Sequence, residues 1–128
     1  MKRGIITISD SHIIMVPSKS VWMTQFEIAD LFEVFSCDIR KAIHSIYKND
    51  EADKTETMQY VKLPNGTSID TYNIEIVIAV AFRIRSRNSS IFRKFVADNL
   101  KLKNHSTAIR LSVFFNNSEE RKNELSMN

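Results

Sequence analysis

Between Trp22 and Asn49 the chain reads WMTQFEIADLFEVFSCDIRKAIHSIYKN, a stretch that leaves few architectures open. Two apolar stripes at helical spacing are separated only by Glu33, Val34 and Phe35, too little chain for anything but a turn. The first stripe carries a complete start signal. Thr24 can cap the amide of Glu27, Glu27 can reach back to the amide of Thr24, and Met23 and Ile28 flank the box as a hydrophobic staple. Ile28, Ala29, Leu31 and Phe32 then form one apolar face. Ser36 offers a second cap, and Ile39, Ala42, Ile43, Ile46 and Tyr47 follow at the spacing of one buried stripe. Two short helices joined this way are the plan of a helix-turn-helix, whose second helix enters the DNA major groove.

Composition sets outer limits around that unit. With 128 residues and 43% hydrophobic content, the chain can bury one core and is expected to form one main domain over residues 1–103. No charged segment followed by an apolar run opens the sequence, so secretion is not expected. The longest apolar run, Ile76 to Phe82, is too short to span a bilayer. The single cysteine, Cys37, excludes an internal disulfide and fits a reducing, cytoplasmic compartment. A net charge of +3 says little, but its distribution says more. From Arg83 to Lys103 the chain carries Arg83, Arg85, Arg87, Arg93, Lys94, Lys101 and Lys103 against a lone Asp98.

In chain order, Ile5 to Val16 predicts two short strands around Ser9-Asp10-Ser11-His12. Trp22, just ahead of the capping box, reads as an anchor for the first helix rather than a ligand platform. Asp50 to Thr57 is polar and aperiodic and reads as a loop. Met58–Leu63 and Thr67–Tyr72 flank Pro64-Asn65-Gly66, a strong hairpin signal because Asn and Gly both tolerate positive φ. A hairpin after a helix-turn-helix is what a winged variant supplies. Asn73 to Arg85 alternates Ile74, Ile76, Ile78, Val80, Phe82 and Ile84 like a strand, yet Asn73 and Glu75 resemble a helix start. Pattern alone leaves both open. Arg87-Asn88-Ser89-Ser90 reads as a break, followed by an amphipathic helix from Ser90 to Lys103. Thr107 to Phe115 suits one more strand or helix, and Asn116 to Asn128 is a polar tail, so residues 104–128 are expected to form a partly mobile extension.

The runs VWMTQFEIADLF, SIYKNDE and YNIEIVIAVAFRIRSRNSSIFRKF resemble the virulence-protein RhuM family of bacterial proteins. Its members show a W-L-T-Q start, an A-x-L-F helix, and a later Y-N-L-x-x-I-I-x-V-G-Y-R-x-x-S followed by F-R-x-W. The likeness covers about Val21 to Lys101, and the F-R-x-x-V segment is also similar to modules of phage antirepressors and Bro-type proteins. Phe95 stands where the family has Trp, Ala81 where it has Gly, and Glu33 where glycine is common in the turn. The resemblance implies a helix for Tyr72 to Ile84, and a DNA-binding regulator of mobile or accessory elements.

With Ile39, Ala42, Ile43 and Ile46 facing inward, the second helix exposes Cys37, Arg40, Lys41, His44 and Lys48, with Ser36 at its amino end. Residues at that end touch base edges. Arg40 suits guanine, and Lys41 and Lys48 suit phosphate; the bland reading is a solvated face. Arg83, Arg85, Arg87, Arg93 and Lys94 form a second basic surface for phosphates or an acidic partner. Its bland reading is local ion pairing with Glu75 or Asp98. Lys62 and Asn65 on the hairpin suit a wing's contact, or simply a solvated turn. No catalytic constellation is found. Cys37 and His44 share a helix face but are about 10 Å apart along it, too far for a nucleophile and its base. His12 and His105 fall in unrelated stretches, and two glycines leave no phosphate loop. No metal site and no cofactor are expected.

The sequence therefore predicts an α+β protein with a helix-turn-helix at 24–48, a wing-like hairpin at 58–72 and a C-terminal pair of helices within 73–103. It predicts binding to double-stranded DNA without catalysis, in transcription regulation, with a homodimer as the expected assembly. The alternative is a non-catalytic protein–protein interaction module, using the basic second half or the Phe114-Phe115 region. No membrane and no small-molecule substrate is expected.

Overall fold

The computed structural model describes residues 3–102. The expectations for Lys103, for Thr107 to Phe115 and for the polar tail lie outside the described residues. Strands β1 (Thr7–Ile8) and β2 (Ile14–Met15) precede helices α1 (Gln25–Phe32), α2 (Ser36–Lys48) and the short α3 (Lys54–Thr57). Strands β3 (Met58–Lys62) and β4 (Ser68–Tyr72) follow, then helices α4 (Ile74–Ala81) and α5 (Arg87–Leu102). The fold is mixed α+β, with two separate antiparallel hairpins. Among the described residues, no helix is long and apolar enough to cross a membrane.

Helix α4 is the centre of the molecule, with Ile76, Val77, Ile78, Ala79, Val80 and Ala81 all buried. Its partners in the core are Ile28, Leu31 and Phe32 of α1, Ile39, Ala42, Ile43 and Ile46 of α2, and Phe92 and Val96 of α5. Phe32 and Phe92 meet edge to face at 5.6 Å. A helix buried all round has no polar face to reveal its period, which is why an alternating reading of 74–84 fitted the letters as well. Asn73 settles the matter locally: its side chain accepts from the amides of Glu75 and Ile76 and opens a helix.

The segment before α1 ties the hairpins to this core. Met23 exchanges backbone hydrogen bonds with Tyr72 at 2.9 and 2.8 Å, joining the entry to α1 to the end of β4. Val21 bridges Gly4, where an added Cβ would lie 2.8 Å from the carbonyls of Lys19 and Ser20, so only glycine admits this approach. Val21 and Met23, rather than Trp22, enter the core; Trp22 is only half-buried. Burial pushes the Tyr72 phenol up to about 12, with Asp70 adding to the shift.

Three local expectations are corrected. The cap of α2 is Phe35, which makes no side-chain bond, and Ser36 is already helical. Helix α5 starts at Arg87 instead of Ser90, because Ser86 and Ser89 bond each other's amides through their hydroxyls, both at 3.0 Å. This reciprocal box moves the break to residues 82–86. Residues 50–57 contain a helical turn, α3, capped by Asp53 through the amide of Thr55. The hairpin tip also differs in detail. Gly66 alone takes positive φ (+90°), while Asn65 accepts from the amide and hydroxyl of Thr67. The Gly66 amide donates to Leu63 O and the Leu63 amide to Thr67 O, so the connection is a three-residue loop.

Candidate nucleic-acid interface

The pair α1–α2 is fixed at both ends of its connection. At the start of α1 the expected box is complete: Thr24 Oγ1 accepts from Glu27 N at 3.1 Å, and Glu27 Oε1 accepts from Thr24 N at 2.8 Å. Arg3, which no motif in the sequence singles out, grips the same carboxylate through two nitrogens at 2.6 and 3.0 Å. Burial works to raise the Glu27 carboxyl, but Arg3 and the Thr24 amide and hydroxyl outweigh it and hold the group below its usual range. At the end of α1, Glu33 adopts φ 55°, ψ 49°, the left-handed geometry that its position in the turn predicts. Val34 N donates to Ala29 O at 3.0 Å and Glu33 N to Asp30 O at 3.3 Å, the paired bonds of a Schellman motif.

Past the turn, α2 divides cleanly into two faces. Ile39, Ala42, Ile43 and Ile46 are buried, whereas Cys37, Arg40, Lys41, His44 and Lys48 are all exposed, with Ser36 half-buried. The outward residues fall on one side because their spacing follows the helical repeat. Among the described residues, the side chains of Arg40, Lys41 and Lys48 make no hydrogen bond or ion pair. Their charge is directed at solvent.

The far end of α2 is braced from two directions. Tyr47 bonds Thr57 Oγ1 at 2.8 Å, and Lys54 lies 5.6 Å from the centre of its ring. Arg83 donates to Ser45 Oγ at 3.0 Å and pairs with Glu51, whose side chain is almost wholly buried. Arg93, on α5, places one nitrogen against Ala81 O at 2.6 Å, Ile84 O at 3.1 Å and Ser89 Oγ at 3.1 Å. It thereby satisfies carbonyls left open where α4 ends. Asn88 does the same for α1 through Leu31 O at 2.9 Å.

The second basic group is therefore divided by the fold. Arg83 and Arg93 face inward contacts, with Glu51 and main-chain carbonyls as partners instead of Glu75 or Asp98. Arg85, Arg87 and Lys94 are exposed. Arg85 also approaches the α2 face: a cavity of about 390 Å³ is lined by Val34, Asp38, Lys41 and Ala42 on one side and Arg83, Ile84 and Arg85 on the other. Lys41 and Arg85 thus share a cleft that can receive an anion, with Asp38 opposing it. The hairpin contributes exposed Tyr60 and Lys62 on one side of β3, and exposed Asn65 at its tip.

Cys37 and His44 remain on α2 at the separation that the sequence implied, and Cys37 is an exposed free thiol. Among the described residues, no group of three His, Cys, Asp or Glu side chains is arranged to hold a metal ion. Comparison with protein-family models, with curated proteins and with solved structures finds no match to this chain.

Proposed function

We propose that this protein binds double-stranded DNA without catalysis. In this reading α1, the turn at 33–35 and α2 act as a helix-turn-helix, and the β3–β4 hairpin is its wing. The observation that carries the reading is the outer face of α2. It presents Arg40, Lys41, His44 and Lys48 to solvent from a helix whose opposite face is core. Such a helix fits a major groove, Arg40 reaching guanine and Lys41 and Lys48 reaching phosphates. Arg85, across the cleft from Lys41, extends the contact to the backbone. The sequence resemblance to RhuM-type proteins implies a role in regulating an accessory or mobile element.

The test is fluorescence anisotropy with a mixed pool of labelled duplexes at low and moderate salt. Binding is expected to weaken steeply with salt, and Arg40→Ala/Lys41→Ala should lower affinity by about tenfold or more, each lost contact being worth about 1 kcal/mol or above. Folded protein that fails to bind at low salt would sink the proposal. A second reading, a protein–protein interaction module, draws on the N-terminal hairpin, where Ile13, Met15 and Val16 are 58%, 62% and 43% exposed. It predicts that the Arg40/Lys41 pair is irrelevant and that changes in this hairpin abolish association.

A further inference from the structure

Phe35 breaks two local rules at once. It occupies the cap position of α2, where Ser, Thr, Asp or Asn would satisfy an open amide, and its side chain makes no cap bond. Phe35 is 78% exposed, more than any other large hydrophobic residue among the described residues. The backbone beneath it is held firmly: the Schellman bonds fix the turn on one side, Phe35 O accepts from Asp38 N at 3.0 Å on the other, and Val34 packs against the core. A rigid mount therefore presents an aromatic ring to water at the amino end of α2. A position that breaks local rules without an evident local gain is a candidate for a functional role.

The surroundings say what the ring fits. Its neighbours in the first turn are half-buried Ser36, exposed Cys37 and exposed Asp38. In a helix-turn-helix the amino end of the second helix is the part that meets base edges, and Arg40 and Lys41 lie one turn further on. The apolar group on a base edge in the major groove is the thymine C5 methyl. We infer that Phe35 is a specificity-determining residue that packs on thymine methyl groups at the end of the site read by the amino terminus of α2. This rests on the DNA-binding reading. Arg40, Lys41 and Lys48 supply attraction to any duplex, and the ring adds a preference that charge cannot give.

The test uses one pool of short labelled duplexes of mixed sequence, made once with thymidine and once with deoxyuridine in its place, so that only the C5 methyl differs. Wild-type protein should bind the thymidine pool about fourfold more tightly, the order expected for one methyl group removed from water. Phe35→Ala should bind both pools alike, with its circular dichroism spectrum and melting temperature unchanged. Arg40→Ala/Lys41→Ala should bind both more weakly and keep the ratio. Equal wild-type binding to the two pools, with Arg40→Ala/Lys41→Ala still weakening it, would overturn this inference and leave the DNA reading standing. Absence of binding to either pool would overturn both. A Phe35→Ala protein that keeps the ratio but changes from dimer to monomer in sedimentation would assign the ring to contact between copies of this chain and overturn the inference.

Discussion

The outer face of α2 holds three cationic side chains and the stretch from Arg83 to Lys94 five, and the fold uses the two groups differently. On α2, Arg40, Lys41 and Lys48 leave a helix whose other face is core and meet no partner among the described residues. In the second stretch, Arg83 ties the α4–α5 connection to Ser45 and Glu51, and Arg93 collects the open carbonyls beyond α4. A run of arginines in a sequence therefore measures demand for donors as much as surface charge. Where a buried helix stops, its last carbonyls need partners, and arginine brings five N–H donors on a stem long enough to reach them. Of the five cations in the denser stretch only Arg85, Arg87 and Lys94 stay exposed, so it offers solvent no more of them than α2 does.

Removing charge from each region should separate the two uses. Arg83→Met leaves the buried Glu51 carboxylate without its ion pair and should cost about 3–5 kcal/mol. The matching Arg40→Met should change stability by no more than about 0.5 kcal/mol. Chemical denaturation of the two variants checks this directly. Equal, small effects would erase the distinction between the regions. A sharper form adds Glu51→Leu to Arg83→Met, which should recover much of the loss. Arg83 Nε is already buried without a partner, and an incompletely satisfied buried pair is replaced by apolar groups at little cost.

Arg93→Met comes next in size. It withdraws a charged donor from two carbonyls and a hydroxyl, so a loss of about 1.5–3 kcal/mol is expected. Because the affected bonds close the end of α4, amide exchange should accelerate there and around Ser89 before it does in α2. Uniform acceleration across the chain would mean that Arg93 does not act locally.

What the letters disclosed, and what they withheld, follows the same division. The Thr24–Glu27 box spans three residues and was legible, as was the split of α2 into a buried stripe and a cationic face, since both depend on spacing alone. The nature of α4 was not, because burial on all sides removed the polar positions that mark a helical period. The start of α5 was misplaced because two serines bond reciprocally where a Ser/Thr–Glu pair is the usual signature. Arg3 with Glu27, and Arg83 with Glu51, are joined across 24 and 32 residues of sequence, and no pattern links them. The exposure of Phe35 was equally hidden, since an aromatic between two helices ordinarily reads as core.

The smallest effect expected lies in the turn itself. Glu33 is exposed and left-handed at the end of α1, a geometry that disfavours any side chain and puts a carboxylate beside the negative end of the helix. Glu33→Gly relieves both costs, although glycine also gives the unfolded chain more freedom. The net gain should be about 0.5 kcal/mol, since relief of left-handed strain is worth roughly 1 kcal/mol and part of it is offset. Denaturation midpoints would read it. Glycine at a residue with ordinary φ would instead lose a similar amount, so the sign alone tests the geometry on which the presentation of α2 depends. The variant also removes a negative charge two residues ahead of Phe35. If α2 faces DNA, Glu33→Gly should bind a mixed duplex pool slightly more tightly at low salt, and the advantage should fade as salt rises. A gain in stability with no change in binding would confine Glu33 to the turn and place the bound phosphates further along α2.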